Sequence, residues 1–197
     1  MSISVKINRK SFGKKFTNML DNSKFKMVAW NKMDRIVDNA KHKMIEQFNH
    51  SVITKEIEAG ATSENISETL GGYGNLYSFI GFDSSKPNPI IKLRELLRTA
   101  THLNQTKRIG DNWYFRVTTP TQHEINEATP MEWEGGNGWA EGIEHGISGL
   151  SFYMYKFWEK GRSKTGMQLP EENNEELSFS THKYLTPIIR DFRAKFK

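Results

Sequence analysis

The residues best suited by type to do chemistry are His123-Glu124-Ile125-Asn126-Glu127. A histidine and two carboxylates within a helical turn invite comparison with the zinc-hydrolase helix, where two histidines four apart hold the metal and a glutamate between them is the base. Here Glu127 stands where the second histidine is required, and the next acids, Glu132 and Glu134, lie past Pro130 on another element. The residues Glu141, Glu144 and His145 could share a cation from one helix face, but a third carboxylate is missing, so an exposed face is expected. Gly146-Ile147-Ser148-Gly149-Leu150 misses the nucleophile elbow because its second glycine comes one residue early. Gly161-Arg162-Ser163-Lys164-Thr165-Gly166 is small and basic like a phosphate-contacting loop, yet it lacks P-loop spacing and precedes no clear helix. It could touch a nucleic-acid backbone, but a flexible loop at a subunit junction is the preferred reading. With no cysteine in the chain, disulfides, thiolate nucleophiles and Cys-based zinc sites are excluded, which fits folding in a reducing cytosol. No catalytic residue, metal site or cofactor is expected, and the chain is read as non-enzymatic.

The elements that would carry these residues are legible to different degrees. Ile3, Val5 and Ile7 alternate strictly with polar residues, so Ile3–Ile7 is a short strand or an extended arm, kept soluble by Lys6, Arg9, Lys10, Lys14 and Lys15. After the turn cluster Asp21-Asn22-Ser23, the residues Trp30, Met33, Val37, Ala40, Met44 and Phe48 recur at steps of three and four. This predicts a long amphipathic helix, with Ile53 and Ile57 continuing it to a stop at Gly60. Thr62, Ser63 and Asn65 then mark a loop. Leu70 to Phe82 opens with glycines and turns densely aromatic, predicting a buried strand. Ile90, Leu93, Leu96, Leu97 and Ala100 predict a helix opening near Pro89.

Thr101–Ile109 and Trp113–Thr119, separated by Gly110-Asp111-Asn112, read as a hairpin ending at Pro120. From Trp139, Ile143, Ile147 and Leu150 recur at helical steps, with Gly142, Gly146 and Gly149 implying close backbone packing. Ser151 to Trp158 is aromatic on both faces, fitting a central strand or the end of the preceding helix, and a strand from about Leu150 is preferred. Lys160–Gly166 and Glu171–Glu176 are exposed loops, and Thr186-Pro187 caps a last helix carrying Ile188, Ile189, Phe192 and Phe196. Residues 1–24 form a basic strand or arm, and residues 25–197 one domain with an exposed loop at about 160–178.

Composition narrows the class further. Only 36% of the 197 residues are hydrophobic, but 12% are aromatic, so large rings supply core area that aliphatics do not. Some of these rings suit an interface, where Trp and Tyr are enriched. No run approaches the roughly eighteen apolar residues of a membrane span, and Met1–Lys10 lacks the continuous apolar stretch of a signal peptide. The formal charge is +5 and unevenly spread. Lys6 to Lys43 holds eleven basic and three acidic residues, while Glu124 to Glu144 holds six acids and no Lys or Arg. Such polarity suits nucleic-acid contact by the basic part, or head-to-tail stacking of copies with opposite charges meeting. A single-strand clamp would need aromatics interleaved with basic residues, and here the two cluster apart.

Four segments carry a family resemblance. Val52-Ile53-Thr54-Lys55-Glu56-Ile57 with Gly60, and then Gly74-Asn75-Leu76-Tyr77-Ser78-Phe79-Ile80-Gly81-Phe82, resemble neck or tail-completion proteins of contractile-tailed bacteriophages. Trp139 to Leu150 and the closing Tyr184-Leu185-Thr186-Pro187-Ile188-Ile189 are similar to the same group. The resemblance implies an α+β subunit with a long N-terminal amphipathic helix packed on a curved, mainly antiparallel sheet, plus a second short helix and a C-terminal helix. It implies assembly as a homo-oligomeric ring between head and tail, beside neck, portal-adaptor and tail proteins, around the path of double-stranded DNA. It implies a virion location and neither catalysis nor cofactor. The interface residues expected on this basis are Gly74, Asn75, Leu76, Trp139, Tyr155, Trp158, Arg162 and Lys164. The basic N-terminal stretch departs from the shared pattern. Two other readings compete: an intracellular nucleic-acid-binding protein using Lys6–Lys43, and a metal-dependent hydrolase using His123, Glu124 and Glu127.

Overall fold

The computed structural model describes residues 3–7, 23–70, 74–109, 112–131, 134–145 and 182–196. In chain order the elements are β1 (Ile3–Ile7), α1 (Ser23–His50), α2 (Val52–Ala59), a 3-10 turn (Gly60–Thr62), α3 (Leu76–Ile80), α4 (Pro89–Thr99), β2 (His102–Ile109), β3 (Asn112–Thr118), α5 (Gln122–Ala128), β4 (Pro130–Met131), β5 (Glu134–Gly138), α6 (Trp139–His145) and α7 (Leu185–Ala194). The class is α+β, and every strand pair is antiparallel. The chain divides into two compact units, the first made of residues 1–48, 94–121 and 186–197, the second of 49–93 and 122–185.

In the first unit α1 is the predicted amphipathic helix. Met33, Val37, Ala40, Met44 and Phe48 are buried along one stripe, and Trp30 is half-buried at its margin. The sheet has the order β1-β3-β2, so the predicted hairpin forms and the N-terminal strand adds to its far side. Its register sets Ile3 opposite Val117, Val5 opposite Phe115 and Ile7 opposite Trp113. Phe115 and Val117 are wholly buried while Arg116 between them is exposed, the alternation expected of a half-buried strand. The register shifts between Leu103 and Gln105, so Asn104 is an extra residue in β2, a bulge that adds local twist. In α7 and the turn after it, Ile188, Ile189, Phe192 and Phe196 are buried, with the two Phe rings 5.1 Å apart. Arg193 donates from Nε and Nη2 to the buried Thr119 hydroxyl at 3.2 and 2.8 Å, tying this helix to the end of β3.

The second unit corrects several expectations. Ile53 and Ile57 do not prolong α1: Ser51 has ψ 134°, which interrupts the helix, so that α2 begins anew at Val52, and the stop at Gly60 falls where predicted. The predicted strand within Leu70–Phe82 is instead helix α3, with residues 71–73 outside the described residues. Asn75 begins it, its side-chain Oδ1 accepting from the Ser78 amide at 2.9 Å, and Gly81 ends it in the left-handed conformation. A five-residue helix is too short to display a 3.6-residue period, so aromatic density alone read as strand. The last helix starts at Leu185, so Thr186 and Pro187 lie in its first turn and Thr186 is not its cap. The strand expected from Leu150 to Trp158, the turn at Gly110-Asp111 and the loop at 160–178 lie outside the described residues.

Candidate functional site

Glu56 is the organising residue of the second unit. It stands three residues after Ile53, so helical geometry points it inward with Ile53 and Ile57, and it is 0% exposed. A buried carboxylate must find donors. Its Oε2 accepts from the Ser67 amide at 2.8 Å and its Oε1 from the Leu76 amide at 2.7 Å. One side chain of α2 therefore holds the loop after the 3-10 turn and also satisfies a free amide at the start of α3. Asn75 closes the same loop from the other side. Its Nδ2 donates to the carbonyls of Ala61 and Ser63, both at 2.9 Å, while its Oδ1 caps α3. Within the loop Ser67 and Thr69 share a hydroxyl hydrogen bond of 2.9 Å, and Glu68 takes φ 57°, a left-handed conformation uncommon for a residue with a side chain.

Further contacts tie distant segments to this core. The Thr54 and Tyr184 hydroxyls share a buried hydrogen bond of 2.8 Å across 130 residues of sequence. Phe82 meets Trp139 edge to face, with ring centroids 5.6 Å apart and planes at 84°. Tyr77 lies 5.3 Å from Phe82, and Tyr184 lies 6.4 Å from Trp139, so four rings form a ladder from α3 through α6 to the start of α7. Asn88 adds a link back to α2, donating to the carbonyls of Ile57 and Glu58 at 3.1 Å.

Of the interface residues expected from the sequence, the fold gathers Asn75, Leu76 and Trp139 into the interior of the second unit. Their contacts are within the chain. Gly74 is exposed beside them, with φ 71° and open space where a side chain would point. Tyr155, Trp158, Arg162 and Lys164 lie outside the described residues, as do Gly146–Leu150 and Gly161–Gly166. Glu56, Thr54 and Tyr184 were not singled out for a role. The available signal was an acid and a threonine inside an apolar helical stripe, where burial demands a partner.

The candidate metal residues are spread apart. His123 and Glu127 form a 3.3 Å contact on the outside of α5, with side chains 82% and 66% exposed. Glu141 and Glu144 are half-buried and occupied, which corrects the exposed face expected for them. Glu141 accepts from Asn126 Nδ2 at 2.6 Å, and Glu144 accepts from the Tyr184 amide at 3.0 Å. Among the described residues no group of three or more His, Cys, Asp or Glu is placed to hold a metal ion. No helix among them is long and apolar enough to cross a membrane.

Charge is the other feature the fold organises. In the first unit the described residues include fifteen basic and five acidic side chains, net +10. In the second they include four basic and ten acidic, net −6. Neither unit is contiguous in sequence, so the chain as written shows this separation only in part. Comparison of the chain with protein-family models, with curated proteins and with solved structures found no match.

Proposed function

We propose that this chain is a non-catalytic structural protein of a tailed bacteriophage, forming a ring in the neck or tail-completion region that joins head to tail around the DNA path. The observation that carries this reading is the convergence of the four segments on which the family resemblance rests. Glu56 of the first bonds the amide of Leu76 in the second, Phe82 of the second packs on Trp139 of the third, and Tyr184 of the fourth meets both Trp139 and Thr54. On this reading the residues that carry the resemblance are ones that hold one packed unit together, the role expected of a structural subunit. The subunit proposed has its long helix against a curved sheet, and the bulge at Asn104 is a device that bends a strand. Partners on this reading are copies of itself, adjoining neck, portal-adaptor and tail proteins, and double-stranded DNA, with the virion as location.

Electron microscopy of phage particles carrying a tagged copy tests it. A ring of tagged subunits at the head–tail junction is the expected result, and particles without the protein would overturn it. The net +10 among the described residues of the first unit favours a second reading, an intracellular nucleic-acid-binding protein. That reading expects DNA affinity to fall steeply with salt, with a slope set by the phosphates contacted. No binding at low salt would end it.

A further inference from the structure

The outer face of α1 combines two features that a solvated helix seldom holds together. Val28, Lys32, Arg35, Ile36, Asn39 and Lys43 fall within about a quarter of the helix circumference, to one side of the buried Met33–Val37–Ala40–Met44 stripe. All six are exposed, Val28 at 65% and Ile36 at 42%; the face holds three basic residues from Val28 to Lys43, with one acid, Glu46, a turn further on. The second unit shows the opposite sign around a similar apolar centre. Ile66 is 47% exposed, between the exposed Glu64 and Glu68, in the loop whose backbone Glu56 fixes through Ser67.

We infer that copies of this chain associate head to tail, the Val28–Lys32–Arg35–Ile36 face of one copy seating on the Glu64–Ile66–Glu68 loop of the next. The inference rests on the ring reading and names its interface. A ring needs a heterologous contact in which two different patches meet, and this chain carries both members of a complementary pair. DNA as occupant would account for the lysines and the arginine, but for neither the acidic unit nor the exposed Val28 and Ile36. Apolar side chains framed by charge are the usual anatomy of a protein interface. The locked loop also fits, since a preorganised patch loses little freedom on binding.

The test is sedimentation velocity at low and high salt on the wild type, on Lys32→Glu/Arg35→Glu, on Glu64→Lys/Glu68→Lys, and on an equimolar mixture of the two variants. All changed positions are exposed, and circular dichroism confirms that each variant is folded. The wild type should self-associate at low salt and dissociate near 1 M, where the screening length is about 3 Å. Each variant alone should show a dissociation constant raised by about tenfold or more. The mixture should recover association, because each reversed face then meets a reversed partner. Variants that associate like the wild type, or a mixture that does not recover, would overturn the assigned faces while leaving the ring reading intact. A first variant that loses DNA binding yet keeps self-association would assign the face to nucleic acid. A wild type monomeric under every condition would overturn the ring reading and the interface together.

Discussion

Replacing Glu56 by Gln removes one acceptor from a site that uses two. The carboxylate serves the Ser67 and Leu76 amides at 2.8 and 2.7 Å with no exposure to water. A glutamine keeps one oxygen and turns its amide nitrogen, a donor, toward the other backbone N–H. A hydrogen bond to a charged group contributes about 1.5–3 kcal/mol, and a buried donor left unpaired costs about 1–3 kcal/mol. These overlap, since part of the bond's value is the desolvation it offsets. The variant should therefore lose about 2–4 kcal/mol in urea denaturation, seen as a lower midpoint with an unchanged slope. Hydrogen exchange gives the local readout. One of the Ser67 and Leu76 amides should exchange at least tenfold faster than expected from the global loss, while amides of α1 follow that loss. A variant within about 0.5 kcal/mol of wild type, with both amides equally protected, would refute the clamp.

Other consequences follow from single contacts. A side chain at Gly138 would meet Thr129 Oγ1 and come within 2.9 Å of the Asn126 Cα and 3.0 Å of the Thr129 carbonyl, in and just after α5. Gly138→Ala should therefore cost about 1–3 kcal/mol, measured as a fall in melting temperature, and a neutral result would contradict the close approach of β5 to α5. Tyr184→Phe leaves the Thr54 hydroxyl buried without its 2.8 Å partner and should cost about 1–2 kcal/mol, whereas adding Thr54→Val should recover part of that loss. Asp83 accepts from the Ser85 amide and hydroxyl at 2.9 and 2.8 Å, which lowers its pKa below 3.8. Its contribution to stability is thus present above that unfolded value and lost as pH falls through the lower folded one. Ser85→Ala should move the Asp83 titration upward when followed by carboxyl-carbon NMR.

What could be read from the sequence depended on how long each pattern runs. The α1 stripe from Met33 to Phe48 repeats for several turns, and the alternation around Phe115 and Val117 matches a strand with one buried face, so both were legible. The α3 helix was not, because five residues hold barely more than one turn. Its true signals were local: an Asn three residues before Ser78 and a Gly after Ile80. Residues Leu76 and Trp139 stood out by type, and the fold uses them inside rather than at the surface. The role of Glu56 depends on amides 11 and 20 residues away, which no local pattern announces. The charge separation was glimpsed at Lys6–Lys43 and Glu124–Glu144, but the end of α4 from Arg94, with β2, β3 and α7, joins the basic side only once folded.

The order of strands in the first unit also fixes when it can be made. Its central strand, β3, lies more than a hundred residues after β1, and Thr119 at its end is held by Arg193 from α7. A nascent chain on the ribosome can form α1 early, but β1 has no partner strand until Thr118 emerges, and Thr119 has no bond from Arg193 until α7 does. Such long-range closure is slow, and exposed apolar surface waits meanwhile. During synthesis this half of the molecule is therefore the natural client of a chaperone, and a ribosome stalled before Arg193 would hold a chain whose basic unit is still open.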